Sequence, residues 1–264
     1  MHTDRRDELM LVVDIGNTNI VCGIYSGKTL AWHARLQSSS KRTADEYYAL
    51  LASLWNHHYA VECIRTVTMA SVVPELTRIW QHLFQKYLNA RVVEINGYSP
   101  LGLSFRTADP GFIGADLIVN AFSAVHKYKT SCIICDLGTA TTIQLVTASG
   151  EFYGTIIAPG LRTGASFLFE RAALLSEIEL TSPNVLLGTN TRDALLSGII
   201  HGHANMIERF IEKIRSENSD LAPITAIATG GIADLIKPLT ASVDVVDKTL
   251  TLDGLFAAGI LLSD

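Results

Sequence analysis

The chain has 264 residues, of which 48% are hydrophobic and 18% are charged, and its formal net charge is −5. This composition is typical of a globular protein with a large core and excludes a disordered chain. The acidic balance argues against nucleic acid and anionic membranes as partners, and no apolar stretch is long enough to cross a bilayer. Four cysteines are too few for a disulfide framework, so we expect buried thiols, including the Cys132-x-x-Cys135 pair, in a reducing cytoplasm.

The N-terminal half predicts three strands followed by alternating helices and strands. Thr43 and Glu46 have the spacing of a capping box, which marks a helix start, and Pro74 suits the first turn of another helix. A segment rich in Gly, Pro and Asp, from Gly97 to Ile113, is predicted to be a loop. The predicted strands are Leu9–Asp14, Ile20–Tyr25, Thr29–Leu36, Thr66–Ser71 and Arg91–Ile95, and the predicted helices are Thr43–His57, Pro74–Tyr87 and Gly114–Lys127.

The C-terminal half repeats this order of elements. The repetition implies two α/β domains related by duplication, an N-terminal domain of residues 1–117 and a C-terminal domain of residues 118–264. The predicted strands are Ser131–Asp136, Thr142–Thr147, Glu151–Ala158 and Thr225–Ala228, and the predicted helices are Leu161–Leu175, Thr191–Arg215, Ile232–Ile236 and Leu252–Leu261.

Two short turns echo each other, one in each half of the chain. They are Asp14-Ile15-Gly16-Asn17-Thr18-Asn19 and Asp136-Leu137-Gly138-Thr139-Ala140-Thr141, and each follows an apolar run. A turn of small residues at the end of a strand can present backbone N–H groups and hydroxyls to phosphates, and its carboxylate can hold a cation. The pair therefore predicts a nucleotide bound between two similar domains.

With Thr229-Gly230-Gly231, these turns resemble the superfamily of sugar kinases, Hsp70 and actin. Within it, the chain is similar to type III pantothenate kinases from about residue 10 to the C-terminus. The resemblance implies two duplicated ribonuclease H-like (actin-like ATPase) domains with a nucleotide cleft between them. The other motifs that carry it are Thr43-Ala44-Asp45-Glu46, Ser71-Val72-Val73-Pro74, Gly114-Ala115-Asp116, Ile156–Leu161 and Leu252-Asp253-Gly254-Leu255.

The resemblance also implies an activity and its cofactors. Such an enzyme phosphorylates pantothenate with ATP, in the first step of coenzyme A synthesis. It uses Mg²⁺ or another divalent cation and a monovalent cation, K⁺ or NH4⁺. It is expected to be a cytoplasmic homodimer.

The nucleotide residues follow from the resemblance, position by position. Asp136 corresponds to a cation ligand, with Asp14 as a second metal-binding carboxylate, and Thr139 corresponds to a nucleotide contact. The first phosphate-binding segment comprises Asp14, Ile15, Gly16, Asn17, Thr18, Asn19, Ile20 and Val21.

The acceptor residues are implied in the same way. Asp116 corresponds to the catalytic base, within a substrate-binding segment formed by Gly114, Ala115, Asp116 and Leu117, and Thr191 matches a position that contacts the substrate. Chemistry supports the base independently, because an aspartate at the start of a helix beside a glycine can accept the acceptor's proton. The alternative reading of Asp116 is an ordinary first-turn acid stabilised by the helix dipole.

Two positions depart from the family pattern. Leu117 stands where the family normally has Arg, and Thr107 stands where it has Tyr; both family residues belong to the pantothenate site. An Arg–carboxylate contact contributes roughly 1.5–3 kcal/mol, so its loss would weaken binding about tenfold to over a hundredfold. Arg106 and Arg162 are candidates for a compensating cation.

Three functional hypotheses remain open at this stage. The chain is a pantothenate kinase with a rearranged carboxylate site, a kinase of a different small hydroxyl substrate, or a non-catalytic nucleotide-binding regulator. Retention of Asp14, Asp116 and Asp136 argues against complete loss of chemistry, because a binding module needs no base. His201 and His203 lie in a predicted helix, where residues two apart do not face together, so we expect no metal site there.

Overall fold

The structure is a computed structural model that describes residues 9–55, 61–171 and 178–263. These residues form two compact units. The first contains the residues up to Gly102, Ala108–Ser123 and the residues from Thr251 onward, and the second contains Leu103–Thr107 and Ala124–Leu250. The predicted division at residues 117/118 assigns the C-terminal segment to the second domain, whereas this segment packs with the first unit.

The first unit contains a five-stranded mixed sheet. Its strands are β1 (Leu9–Ile15), β2 (Asn19–Ser26), β3 (Thr29–Gln37), β4 (Ile64–Ser71) and β5 (Arg91–Ile95). In space they follow the order β3-β2-β1-β4-β5. The pairs β1–β2 and β2–β3 are antiparallel, and the pairs β1–β4 and β4–β5 are parallel. β1 is therefore central, which explains why its sequence is almost continuously apolar.

Two helices, α1 (Ala44–Trp55) and α2 (Pro74–Tyr87), contribute side chains to the core of this unit. The capping box predicted before α1 is present. The backbone N–H of Thr43 donates to the Glu46 carboxylate at 2.7 Å, and the backbone N–H of Glu46 donates to the Thr43 hydroxyl at 3.3 Å. The start of α1 is therefore fixed by residues three apart in sequence.

Two further α-helices in the described part of the first unit are the beginning of α3 (Ala115–Tyr128) and α8 (Leu250–Ser263) from its second residue onward. They cross at Gly254, where a Cβ atom would lie 2.8 Å from the Val119 carbonyl oxygen, so the crossing requires glycine. The Tyr25 hydroxyl of β2 donates to the Asp253 carboxylate at 2.5 Å, and its ring stacks on Phe256 with centroids 4.2 Å apart. These contacts hold α8 against the first sheet.

The second unit contains a six-stranded sheet. Its strands are β6 (Ser104–Phe105), β7 (Ser131–Leu137), β8 (Ala140–Val146), β9 (Glu151–Pro159), β10 (Ile224–Thr229) and β11 (Val245–Val246). Their order is β11-β10-β7-β8-β9-β6, with β7, β8 and β9 antiparallel and β7, β10 and β11 parallel. Apart from β6, this repeats the arrangement of the first sheet, and the prediction of two duplicated ribonuclease H-like domains is confirmed.

In its described residues, the second unit contains four α-helices in addition to the end of α3 and the first residue of the last helix. A π-helical turn, Ser197–His201, separates two of them and interrupts the helix that was predicted to run continuously from Thr191 to Arg215. The helices are α4 (Leu161–Arg171), α5 (Thr191–Leu196), α6 (Gly202–Glu217) and α7 (Ala233–Ile236).

Other differences from the sequence predictions are small. The predicted loop from Gly97 to Ile113 contains the short strand β6 and a 3-10 turn at Pro110–Phe112, and the two-residue strand β11 was not predicted. The predicted ends of two helices, at His57 and Leu175, lie outside the described residues.

All four cysteines are free, and three of them, Cys22, Cys132 and Cys135, are buried. The prediction of core thiols is confirmed for these three. Cys63 is partly buried. In the described portion of the chain, no helix has the length and apolar character that a membrane span requires.

Candidate active site

The first echoing turn connects β1 to β2 in the first unit. The backbone N–H of Gly16 donates to the Asn19 carbonyl at 3.0 Å, which closes the turn. Ser38 holds it from the neighbouring segment: its hydroxyl donates to the Gly16 carbonyl at 2.6 Å and its N–H to the Thr18 carbonyl at 3.0 Å. A side chain at residue 16 would meet the Asn19 carbonyl at 3.1 Å, so glycine allows the turn to be this tight.

Asp14 lies at the carboxyl end of β1, one residue before the strand ends. Asp14 is partly buried, and its backbone lies opposite Val21 of β2 and Ala70 of β4 in the sheet. Burial raises the pKa of the neighbouring Cys22 thiol, and the negative charge of Asp14 raises it further. Asp14 therefore places a carboxylate beside the first turn.

The second turn connects β7 to β8 in the second unit and is held differently. The Gly138 N–H donates to the Ala140 carbonyl at 3.1 Å. The Thr139 carbonyl accepts two hydrogen bonds from the start of α4, from the Gly160 N–H at 3.1 Å and the Thr163 hydroxyl at 2.7 Å. A Cβ atom on Gly160 would lie 2.3 Å from the Gly138 carbonyl oxygen, so this approach of two backbones requires glycine.

The Thr229-Gly230-Gly231 motif packs beside the second turn. Gly230 follows β10, whose last residue pairs with Asp136 of β7. Its φ is +90°, and a Cβ atom there would lie 2.6 Å from the Leu137 carbonyl oxygen. Glycine is needed for both reasons, and the motif therefore borders the strand end that carries Asp136.

Asp136 occupies in the second sheet the position that Asp14 occupies in the first. Asp136 is partly buried. Burial of the Cys135 thiol and, to a smaller extent, the negative charge of Asp136 raise the pKa of Cys135 to about 12. Among the described residues there is no group of three or more His, Cys, Asp and Glu side chains suited to a metal. One carboxylate per turn nevertheless fits Mg²⁺ carried by a nucleotide, since that ion is usually bound by one or two carboxylates, waters and phosphates.

Asp116 opens α3 in the first unit, and its surroundings differ from those of a surface acid. Burial raises the pKa of its carboxyl, while the hydrogen bond from the Leu117 N–H, at 2.8 Å, acts in the opposite direction. Its Oδ1 would lie 2.5 Å from a Cβ atom on Gly114, so the carboxylate folds back over that glycine. An aspartate whose pKa is raised is a better proton acceptor than an exposed one.

A chain of contacts within the first unit connects Asp116 to the end of β1. The Val72 N–H, just after β4, donates to the Ile15 carbonyl at 3.1 Å. A Cβ atom on Gly114 would lie 3.4 Å from the Val72 side chain. The predicted base and the predicted phosphate-binding segment are therefore at the same end of this sheet.

The substituted positions have distinct environments. Leu117 is 8% exposed, and Thr107 is exposed. Arg106 is engaged within the second unit, with its Nε 2.9 Å from Glu151 and its guanidinium 3.3 Å from the centroid of the Tyr153 ring. Arg162, in the first turn of α4, is exposed.

Thr191 begins α5 in the second unit and is exposed. Asn190 caps this helix by accepting a hydrogen bond from the Asp193 N–H at 3.0 Å. An open depression of about 530 Å³ is lined by Gly188, Thr189, Asn190, Thr191, Ala194 and Leu195. The predicted substrate contact thus lies on an accessible concave surface.

Sequence reasoning missed one contact of the second turn. His203, considered there only as a metal ligand, has its Nε2 atom 2.9 Å from the hydroxyl of Thr141, the last residue of the turn. The two residues are 62 positions apart, so no local pattern could reveal the contact.

Known proteins share both the sequence and the fold of this chain. The chain is 37% identical over 248 residues to the type III pantothenate kinase of Geobacter sulfurreducens, covering 94% of this chain and 96% of that protein. It is 39% identical over 251 residues to the type III pantothenate kinase of Thermomicrobium roseum, covering 95% and 96%.

A solved structure and a family model complete the comparison. The activator of the 2-hydroxyisocaproyl-CoA dehydratase from Clostridium difficile with bound ADPNP has a TM-score of 0.55 and 12% identity, covering 96% of this chain and 93% of that chain, which shows a shared fold. The family model for type III pantothenate kinase matches residues 10–213. The chain belongs to the type III pantothenate kinase family.

Proposed function

We propose that this protein transfers the γ-phosphoryl group of ATP to the 4′-hydroxyl of pantothenate, the first step of coenzyme A synthesis. The observation that carries the proposal is the similarity to type III pantothenate kinases over almost the whole chain, together with the family motifs. Nothing in the comparisons favours a different hydroxyl substrate or a non-catalytic regulator.

The two turns are proposed to bind the nucleotide. Phosphoryl transfer depends on holding the triphosphate and neutralising its charge. The segment from Asp14 to Val21 would supply backbone N–H groups and hydroxyls from the first unit, and Thr139 a contact from the second. The hydrogen bonds that close both turns support this role, because they fix backbone groups before the nucleotide arrives.

Asp14 and Asp136 are the proposed cation ligands. Their positions at equivalent strand ends, beside tight turns, suit a carboxylate that completes the coordination of a cation on the phosphates. A bound divalent cation would supply charge neutralisation during phosphoryl transfer. We propose Mg²⁺ or a similar divalent ion here, with K⁺ or NH4⁺ as the activating monovalent ion.

Asp116 is proposed to be the base. Its carboxylate would accept the proton of the 4′-hydroxyl as that oxygen attacks the γ-phosphorus and the bond from the γ-phosphorus to the bridging oxygen of ADP breaks. The burial that raises its pKa supports the role. Gly114, Ala115, Leu117 and Thr191 are the proposed substrate contacts.

The pantothenate carboxylate needs a cation that residue 117 does not provide. Arg106 already pairs with Glu151 and stacks on Tyr153, and this engagement favours Arg162 as the compensating cation. We further propose that the enzyme is a cytoplasmic homodimer, as the resemblance implies.

An acceptor panel tests the proposal. Purified protein is incubated with Mg-ATP and K⁺ and with pantothenate, pantetheine, glycerol or glucose in turn, and the products are identified by mass spectrometry. We expect phosphopantothenate as the main product. If another acceptor is phosphorylated and pantothenate at millimolar concentration is not, the protein is a kinase of a different hydroxyl substrate. If nucleotide binds and no product forms, the protein is a non-catalytic regulator.

A further inference from the structure

The contact between His203 and Thr141 lies at the end of the second turn and has no role in the mechanism above. Thr141 is fully buried in β8 and pairs with Leu137 of β7 on one side and Ala158 of β9 on the other. It is the last residue of the second turn and directly follows Ala140, whose carbonyl accepts the hydrogen bond that closes the turn. A group that holds Thr141 therefore also restrains the turn.

The π-helical turn determines which residue of α6 faces Thr141. A π-helical turn contains one residue more than an α-helical turn, and it rotates the helix that follows by about 100°. His203 lies two residues after this turn, in the first turn of α6. In an uninterrupted helix, a neighbouring position would face β8.

His203 also lines an open cavity. A cavity of about 260 Å³ lies between the start of α4 and the start of α6, and its lining includes Gly160, Gly164, Gly202, His203 and Met206. Three of these residues are glycines. Because this cavity leaves space beside the imidazole, the hydrogen bond to Thr141 has more influence on the position of the ring.

The imidazole is suited to a fixed hydrogen bond. Burial lowers the pKa of His203, which favours the neutral ring with one donor and one acceptor nitrogen. The Thr141 hydroxyl can serve either nitrogen state, so the pair is satisfied without a charged partner.

We propose that His203 is a positioning residue for nucleotide binding, which holds the second turn in place through its direct hydrogen bond to Thr141. The inference rests on the proposed function only in taking this turn as a nucleotide site. It requires no particular acceptor.

Nucleotide affinity of the full-length protein tests the inference. Calorimetric titration with a non-hydrolysable Mg-ATP analogue is compared for the wild type, His203→Ala, His203→Gln and Thr141→Val. His201→Ala is the matched control, because in the described residues the hydrogen bond to Thr141 comes from His203 and not from His201. We expect His203→Ala and Thr141→Val each to weaken binding about three- to tenfold, which corresponds to one hydrogen bond. His203→Gln, which keeps a polar side chain able to reach Thr141, and His201→Ala should stay within about twofold of the wild type.

Coupling and kinetics distinguish positioning from a general structural effect. The double variant His203→Ala/Thr141→Val should bind no more weakly than either single variant, and the KM for ATP should rise without the KM for pantothenate. Unchanged affinity in His203→Ala, equal losses in His203→Ala and His201→Ala, or fully additive losses would overturn the proposal. If His203→Ala does not fold, the test rests on the other two variants: Thr141→Val should bind the analogue more weakly, and His203→Gln should bind it nearly as well as the wild type.

The result is separable from the fate of the proposed function. Binding of the analogue is measured without an acceptor, so a failure to phosphorylate pantothenate leaves the affinity comparison intact. Conversely, an active pantothenate kinase whose nucleotide affinity ignores His203 contradicts this inference alone.

Discussion

Asp116 combines two properties that oppose each other, a buried carboxyl and the need to be ionised as a base. Burial raises the pKa of Asp116 in the folded protein. The free energy of unfolding therefore decreases as the pH rises above the ordinary aspartate pKa of about 3.9, and this loss is absent at lower pH. This cost is expected of a group kept for chemistry.

Replacing Asp116 by Asn should abolish turnover and leave nucleotide affinity within about twofold, while the thermal midpoint at neutral pH stays equal or rises. In the wild type, kcat/KM should fall on acidification at a pH above that expected for an exposed aspartate, because the base must be deprotonated. Activity as a function of pH and a thermal melt measure both effects. Retained turnover in the Asn variant would remove Asp116 as the base.

Substitution of Leu117 tests whether the absence of the family's arginine at this position weakens pantothenate binding. Leu117→Arg should lower the KM for pantothenate by about tenfold or more if the missing guanidinium limits binding. Leu117→Gln is the control, with a longer polar side chain and no charge. Steady-state kinetics with varied pantothenate make the comparison, and an equal change of KM in both variants would contradict a charge effect.

At the scale of elements, the start of α4 determines the shape of the second turn. Gly160→Ala would place a methyl group against the Gly138 carbonyl, and we expect a loss of about 1–3 kcal/mol in unfolding free energy and weaker nucleotide binding. Gly164→Ala is the matched control, since nothing lies within 4 Å of the added Cβ atom. Urea unfolding and analogue titration report the two effects. Equal behaviour of the two variants would show that the close approach at Gly160 is unimportant.

Helix α8 joins the first unit although it follows the second in sequence, and Tyr25 is one of its attachments. Tyr25→Phe removes the hydrogen bond to the Asp253 carboxylate, and we expect a loss of about 1.5–3 kcal/mol in unfolding free energy. Tyr48→Phe is the control, because within the described ranges the Tyr48 hydroxyl makes no hydrogen bond and its ring stacks on Tyr87. Its effect should stay within about 0.5 kcal/mol in the same urea titration.

Elements that form through local interactions could be predicted from the sequence, whereas elements that depend on distant contacts could not. The capping box of Thr43 and Glu46 and the apolar runs of β1 and β7 are local, and both were predicted. The π-helical turn at Ser197–His201 and the two-residue strand β11 depend on packing against distant segments, and neither has a local signature.

At the scale of the whole molecule, the duplicated sheets could be predicted because each half repeats the same order of strands and helices. The membership of α8 could not, because it depends on contacts such as Tyr25–Asp253 across 228 positions. The site divides in the same way. Its turns carry sequence motifs, whereas the contact between His203 and Thr141 appears only in three dimensions.

The central claim is that this chain phosphorylates pantothenate with ATP through Asp116. The most direct measurement is pantothenate-dependent formation of ADP and phosphopantothenate by the wild type and Asp116→Asn, side by side with Mg²⁺ and with or without K⁺. We predict stoichiometric formation of both products by the wild type, higher rates with K⁺, and none by the variant despite retained nucleotide binding. ADP formation that does not depend on pantothenate, or equal product from both proteins, would contradict the claim.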